Sequence, residues 1–233
     1  MSLFKQRSSQ SELIDWTDIP FDDWNVCLRE LDVINTCLGG HAVTIHGLQS
    51  LLDLSLPAIT IAEIGCGGGD NLNAIHRWNK NKNLPIHYIG IDLNEACIAF
   101  ARSNCGDMPH ASFIHSDYRE VTFGDQKPDI IFSSLFCHHF SDKQLVEMFR
   151  WLNINSGLGF FVNDLQRHPI AYHSISLLTR IFSRSRLIRH DAPISVLRGF
   201  RRHELERLLQ MAGMSCYDIR WRWAFRYLII VQR

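Results

Sequence analysis

The run Ile59-Thr60-Ile61-Ala62-Glu63-Ile64-Gly65-Cys66-Gly67-Gly68-Gly69-Asp70 takes an apolar, β-branched stretch to an acid and then into glycines. Such a stretch reads as a buried strand, and glycines directly after it let the backbone turn tightly and approach a ligand without Cβ clashes. In a doubly wound α/β fold that corner, at the carboxyl end of the first strand, holds a phosphate or a nucleoside. Asp92 ends a second apolar run, Pro85 to Asp92, about twenty residues beyond the glycines, where a strand-tip carboxylate accepts both hydroxyls of a ribose. Asp117 lies just past a third run, and the adjacent pair His138 and His139 follows a fourth. Histidine is the side chain suited to general-base work near neutral pH.

Alternating elements would hold these residues. Expected strands cover 59–64, 85–92, 111–118, 128–134 and 157–164, with helices near 70–80, 94–103 and 142–152 between them. Asp70 or Asn71 is the expected N-cap of the first of these helices, and Ser141-Asp142 of the last. This alternation predicts a parallel sheet with right-handed crossovers. Helical spacing over 24–38, stopped by Gly39-Gly40, and over 41–54 gives two helices ahead of the first strand. Residues 1–20 are polar, and Ser8-Ser9-Gln10-Ser11 is expected to fray. Beyond the fifth strand the alternation stops: an insertion of about 165–202 holds one helix, 170–182, and then a basic loop. A helix over 202–211 and two closing strands, 214–220 and 223–231, form the end. The chain is thus expected to divide into an N-terminal helical cap, 1–57, and an α/β domain, 58–233, that includes the insertion.

Composition narrows the class. A chain of 233 residues with 46% hydrophobic content buries one α/β core. The zero formal net charge gives no global field for nucleic acid. Seven scattered cysteines, none spaced Cys-x-x-Cys, argue against a disulfide scaffold or a zinc cluster, so no metal ligand set is expected and a reducing cytoplasm fits. There is neither an apolar leader nor a membrane-length apolar run.

With these residues in order, the segment 58–164 resembles the class I S-adenosylmethionine-dependent methyltransferases. Glu63 followed by Gly65, Gly67 and Gly69 is similar to their first motif, and Asp92, Asp117 and the 128–139 segment fall where the family has its ribose acid, its adenine-contacting acid and its fourth-strand motif. Dinucleotide dehydrogenases share the strand, glycines and ribose acid, but their spacing is Gly-x-Gly-x-x-Gly. The resemblance implies a Rossmann-like, seven-stranded, mostly parallel sheet with an antiparallel last strand, and S-adenosylmethionine as cofactor. It also implies cofactor contacts at Glu63, Gly65, Cys66, Gly67, Asp92, Leu93, Asp117, Tyr118, Ser133 and Ser134. The bland alternatives are a strand-end acid capping amides for Glu63 and a surface carboxylate for Asp92.

Within the family, Leu-x-x-His-His-Phe at 135–140 looks like small-molecule enzymes acting on quinone precursors, phenols or polyketide-derived aromatics. Ser133-Ser134-Leu135-Phe136 stands where exocyclic-amine nucleic-acid methyltransferases carry Asn/Asp-Pro-Pro-Tyr/Phe, which argues against nucleic acid. Methyl transfer from a sulfonium expels a neutral thioether, so orientation is the main catalytic device, and a base assists a phenolic or enolic acceptor. His138, His139 and Asp164 are the candidates. The expected reaction is O-methylation, with C-methylation of a quinone-type ring, a nucleic-acid substrate or a non-catalytic cofactor-binding role as alternatives. The arginine-rich insertion is expected to choose the substrate, with Tyr172 and Arg198 as contacts. Its basic surface reads either as a solvated face or as a site for an acidic or carrier-linked substrate or an anionic membrane.

Overall fold

Six residues at the centre of the sheet, Ile59–Ile64 (β1), are buried at all but one position, as expected of a strand covered on both faces. The structure, a computed structural model, describes residues 3–15, 19–124 and 126–233; residues 1, 2 and 16–18 of the expected cap lie outside these. Around β1 are Ile86–Asp92 (β2), Ala111–His115 (β3), Ile130–Ser134 (β4), Gly159–Leu165 (β5), Asp218–Arg222 (β6) and Arg226–Gln232 (β7), in the order β3-β2-β1-β4-β5-β7-β6. The first five run parallel, and β7 pairs antiparallel with both β5 and β6. The chain fills one side of β1 with β2 and β3 before returning to β4 on the other. The carboxyl ends of β1 and β4 therefore flank the switch point where such sheets bind ligands.

The helices are Phe21–Cys37 (α1), Gly40–Leu51 (α2), Asp70–Asn79 (α3), Glu95–Asn104 (α4), Asp142–Asn155 (α5), Pro169–Phe182 (α6), Arg186–Arg198 (α7) and Arg202–Met211 (α8). One sheet face packs Ile64, Ile131 and Phe160 against Phe149 of α5 and Leu205 of α8. The other packs Ile61, Phe132 and Phe161 against Leu48 of α2 and Ile75 of α3. Helix α1 joins neither core directly; Trp24 and Leu28 meet Cys97 of α4, and Cys27 meets Leu187 and Ile188 of α7.

Three expectations are corrected. Gly69, left-handed at φ 72°, is the N-cap of α3 and makes no side-chain cap, so neither Asp70 nor Asn71 caps it. The basic loop is in fact α7. Ser185 caps it through the Ile188 N–H, and Leu187, Ile188, Ile194, Val196 and Leu197 are buried along it. Proline inside a helix costs about 3 kcal/mol, while each buried aliphatic side chain contributes about 1.5–3 kcal/mol; five such side chains outweigh Pro193. The amino-terminal segment does not fray: the Ser8 N–H donates to the Leu197 carbonyl, and Arg7 donates to the carbonyls of His138, Phe140 and Arg198 and pairs with Asp142.

Candidate active site

A cavity of about 960 Å³ lies over the carboxyl ends of β1, β2 and β4, roofed by α1, α6 and α7. That is at the upper end of the range of about 300–1,000 Å³ for small-molecule sites.

One wall is the glycine turn. Gly65 has φ +65°, and a Cβ there would fall 2.3 Å from the Phe136 ring, so any other residue would be strained and would have to displace that ring. The Gly67 N–H donates to Asp92 Oδ2 at 2.8 Å and the Asn94 N–H to Oδ1 at 2.9 Å. One carboxylate thereby fixes the turn against the tip of β2, and each oxygen keeps lone-pair capacity for a diol. Burial pushes the Asp92 carboxyl up, against the pull of those two N–H donors and the nearby His115 and His139. Cys66 and Leu93 both line the cavity; burial raises the Cys66 thiol well above its ordinary range, and Leu93 is 69% exposed at the mouth.

Glu63 is fully buried behind this wall. Its Oε1 accepts from Asn71 Nδ2 at 2.9 Å, and its Oε2 has no partner among the described residues. Burial, with Asp70 and Asp92 close by, holds its carboxyl well above the usual range. Asn71 lines the cavity and Glu63 does not; Glu63 holds the Asn71 amide from behind the wall.

Of the remaining expected cofactor contacts, only Ser134 reaches the wall. Ser133, its neighbour on β4, faces the opposite side of the sheet, where its hydroxyl lies 3.3 Å from Cys137 Sγ. Asp117 is not brought to the cavity. β3 ends at His115, and Asp117 caps the short 3-10 turn that follows, accepting from the Arg119 N–H and guanidinium, which holds its carboxyl below the usual range. Tyr118 is buried edge-on against Trp151, centroids 5.1 Å apart.

The opposite wall carries the histidines. His138 Nδ1 meets Asp164 Oδ1 at 2.8 Å, and the His138 N–H donates to Oδ2 at 3.2 Å. Burial pushes the Asp164 carboxyl up, but His138 and the Leu165 N–H outweigh it and hold the group low. His139 Nδ1 meets Asp15 Oδ1 at 2.9 Å. Arg198 is not on the wall: buried, it donates to the carbonyls of Gln10, His138 and His139 and pairs with Asp15 at 2.9 Å, which braces the histidine turn. Tyr172 packs edge-on against Phe4, also off the wall. The insertion turns apolar side chains inward instead, Ile175 and Leu178 from α6 and Ile188 and Val196 from α7.

Sequence reasoning missed Glu12, Asp15 and Arg226. No motif marks the first two, which arrive on the docked amino-terminal segment. Arg226 had a signal, a cation opening the apolar strand Arg226 to Val231. It is 2% exposed and lines the cavity. Its Nη2 donates to Asn35 Oδ1 at 3.0 Å, while Nε and Nη1 have no partner among the described residues. Desolvation pulls it down to about 10, still a cation at neutral pH.

These residues fit S-adenosylmethionine. Asp92 suits its ribose diol, the unpartnered donors of Arg226 suit its carboxylate, and Asn71, oriented by Glu63, offers a polar contact beside them.

Residues 61–155 match the family model described as a methyltransferase domain. No curated protein sequence matches the chain. Among solved structures, the plantazolicin methyltransferase BpumL in complex with SAH is similar, with TM-score 0.64 and 16% identity over 91% of this chain and 94% of that one. So is the magnesium protoporphyrin IX methyltransferase ChlM of Synechocystis with bound SAM, TM-score 0.56 and 13% identity over 84% and 80%. A putative O-methyltransferase of Nostoc punctiforme gives TM-score 0.60 and 13% identity over 88% of this chain and 60% of that one. At these identities the likeness is one of fold, and it agrees with the motif match and the cofactor-shaped wall. Residues 61–155 carry a methyltransferase domain, and the chain as a whole has the Rossmann-like fold of these methyltransferase structures.

Proposed function

We propose that the chain methylates an oxygen of a largely apolar small molecule, a phenolic, quinoid or polyketide-type hydroxyl. The observation that carries this reading is the cavity itself, which faces the glycine turn and Asp92 with the His138–His139 pair and closes the space between them with apolar side chains of α1, α6 and α7. Bound S-adenosylmethionine supplies an electrophilic methyl group whose departure needs no acid. The protein's part is orientation: holding the acceptor oxygen in line with that methyl accounts for most of the rate a site of this kind confers. The Nε2 edges of His138 and His139 accept the acceptor's hydroxyl proton in a hydrogen bond, and Asp164 and Asp15 fix the rings that do so.

The neighbours support a small-molecule acceptor. BpumL is described with azolic desmethyl-plantazolicin analogues, ChlM by its magnesium protoporphyrin, and a further neighbour as the CMeT domain of a citrinin polyketide synthase. The exposed apolar side chains Leu177, Ile181 and Phe182 of α6 suit uptake of a hydrophobic acceptor from a carrier or a membrane surface. No helix among the described residues is long and apolar enough to cross a membrane, and the cysteines are free thiols.

The test is methyl transfer from labelled S-adenosylmethionine to a panel of phenols, quinols and polyketide-type hydroxy-aromatics, with product structure read by fragmentation. An O-methyl product supports the reading. A C-methyl product, or label entering RNA or DNA and no small molecule, overturns it.

A further inference from the structure

The acceptor wall holds a cluster that cofactor binding does not use. Glu12, His138 and His139 bring one potential ligand atom each to within 4.8 Å of one another. Glu12 Oε1 lies 3.6 Å from His138 Nε2, and Glu12 Oε2 lies 4.0 Å from His139 Nε2, too far for hydrogen bonds. The rings sit side by side, centroids 4.4 Å apart, so both Nε2 edges face the same carboxylate. Each Nδ1 is occupied by a carboxylate, Asp164 for His138 and Asp15 for His139. A ring that donates from Nδ1 presents a lone pair at Nε2, the state that carboxylate-backed histidines adopt as metal ligands.

With both rings in that tautomer, two lone pairs and a carboxylate converge with no donor among them, and the buried Glu12 Oε1 has no hydrogen-bond partner among the described residues. Such a group costs about 1–3 kcal/mol when left unsatisfied. Ser195 satisfies only Oε2, at 2.8 Å. Arg198 Nε stands 3.7 Å from Oε1, but its donors are taken by backbone carbonyls and Asp15. Arg7 is neutralised by Asp142. Glu12, Asp15 and Asp164, with Asp191 buried nearby, stand against Arg198 and Arg226 and leave the neighbourhood negative.

We propose that Glu12, His138 Nε2 and His139 Nε2 form a binding site for one divalent cation of the zinc type, with Asp164 and Asp15 orienting the imidazoles. Two imidazoles and a carboxylate are a set that holds catalytic zinc with a position left open; magnesium demands oxygen ligands and is disfavoured. Ligands at about 2.0–2.1 Å in a tetrahedron stand about 3.4 Å apart, so separations that now lie within 4.8 Å must close by up to about 1.4 Å when the ion binds. His138, His139 and Glu12 all line the cavity, which puts the open position toward the acceptor. The consequence for catalysis rests on the function proposed above: the acceptor hydroxyl loses its proton to solvent and its oxygen is held by the cation, which does the work otherwise left to the imidazoles. The site itself does not depend on that function.

The test is calorimetric titration of the tag-free, metal-stripped full chain with Zn²⁺ alone and with Mg²⁺ alone, alongside titration with S-adenosylhomocysteine. The expected result is one Zn²⁺ per chain, no heat with Mg²⁺, at least a tenfold loss of Zn²⁺ affinity in Glu12→Gln and His139→Ala, and about a tenfold loss in Asp15→Asn. His139 is chosen over His138 because removing the latter strands Asp164. Substituted Co²⁺ should give the visible spectrum of a four- or five-coordinate nitrogen and oxygen site. No stoichiometric Zn²⁺ binding, or equal affinity in Glu12→Gln, overturns the cation site and leaves the methyltransferase reading intact. Zn²⁺ binding without any heat from S-adenosylhomocysteine overturns that reading and leaves the site.

Discussion

The two walls of the cavity are built on different scales. The cofactor wall comes mainly from the chain between Glu63 and Asp92, joined by Ser134 and Arg226, and there a strand, a turn and the next strand tip fix one another through bonds such as Gly67 N–H to Asp92. The acceptor wall is drawn from both ends of the chain, and Arg198 and Asp15 meet across 183 residues. Nucleoside binding asks mainly for backbone amides and one carboxylate, which a contiguous segment supplies. Holding two histidines against a buried carboxylate asks for an ion network, which only the finished fold closes.

The difference can be broken by substitution, and the largest effect belongs to the acceptor wall. Asp164→Ala strands the buried His138 ring and its N–H, and should cost about 3–5 kcal/mol of stability in denaturant unfolding. An unchanged midpoint would mean the network is not what closes this wall.

Effects on the cofactor wall should be smaller and fall on binding. Asp92→Ala should weaken S-adenosylhomocysteine by about 1.5–3 kcal/mol, the range for hydrogen bonds to a charged group, read by calorimetry. Gly65→Ala should lower stability by about 1–2 kcal/mol for the left-handed backbone alone, and more if Phe136 cannot move aside.

A pH series sharpens the same point. Burial raises the Asp92 carboxyl, and a diol donates to its ionised form. Affinity for S-adenosylhomocysteine should therefore be full above that raised pKa and fall as pH drops through it, beginning above the ordinary carboxylate value of about 3.9. Asp92→Asn should abolish the dependence. The smallest effect is expected at Asp117→Asn, within about 0.5 kcal/mol in cofactor affinity, because that carboxylate is spent on Arg119.

What could be read in the sequence follows this division. Glu63, the glycines and Asp92 were legible because strand, turn and strand tip are local, and the alternation that predicted a parallel sheet rests on the same local periodicities. Ser133 and Ser134 could not be separated, since the register of β4 decides which faces the cavity. Asp117 looked like a strand-tip acid until β3 ended early and made it a cap. The arginines of the insertion read as a basic surface, yet Arg167 binds Glu204 and the carbonyls of Phe4 and Gly199, and Arg198 braces the histidine turn. Glu12 and Asp15 sit in a polar stretch with no periodicity, and tertiary contacts alone reveal their use.

The most direct test is calorimetric titration of S-adenosylhomocysteine into the wild type, Asp92→Ala and Glu12→Gln, with NAD as control. The account predicts binding to the wild type, a loss of about 10- to 150-fold in Asp92→Ala, wild-type affinity in Glu12→Gln and no heat with NAD. Heat with NAD and none with S-adenosylhomocysteine, or a loss in Glu12→Gln equal to that in Asp92→Ala, would contradict it.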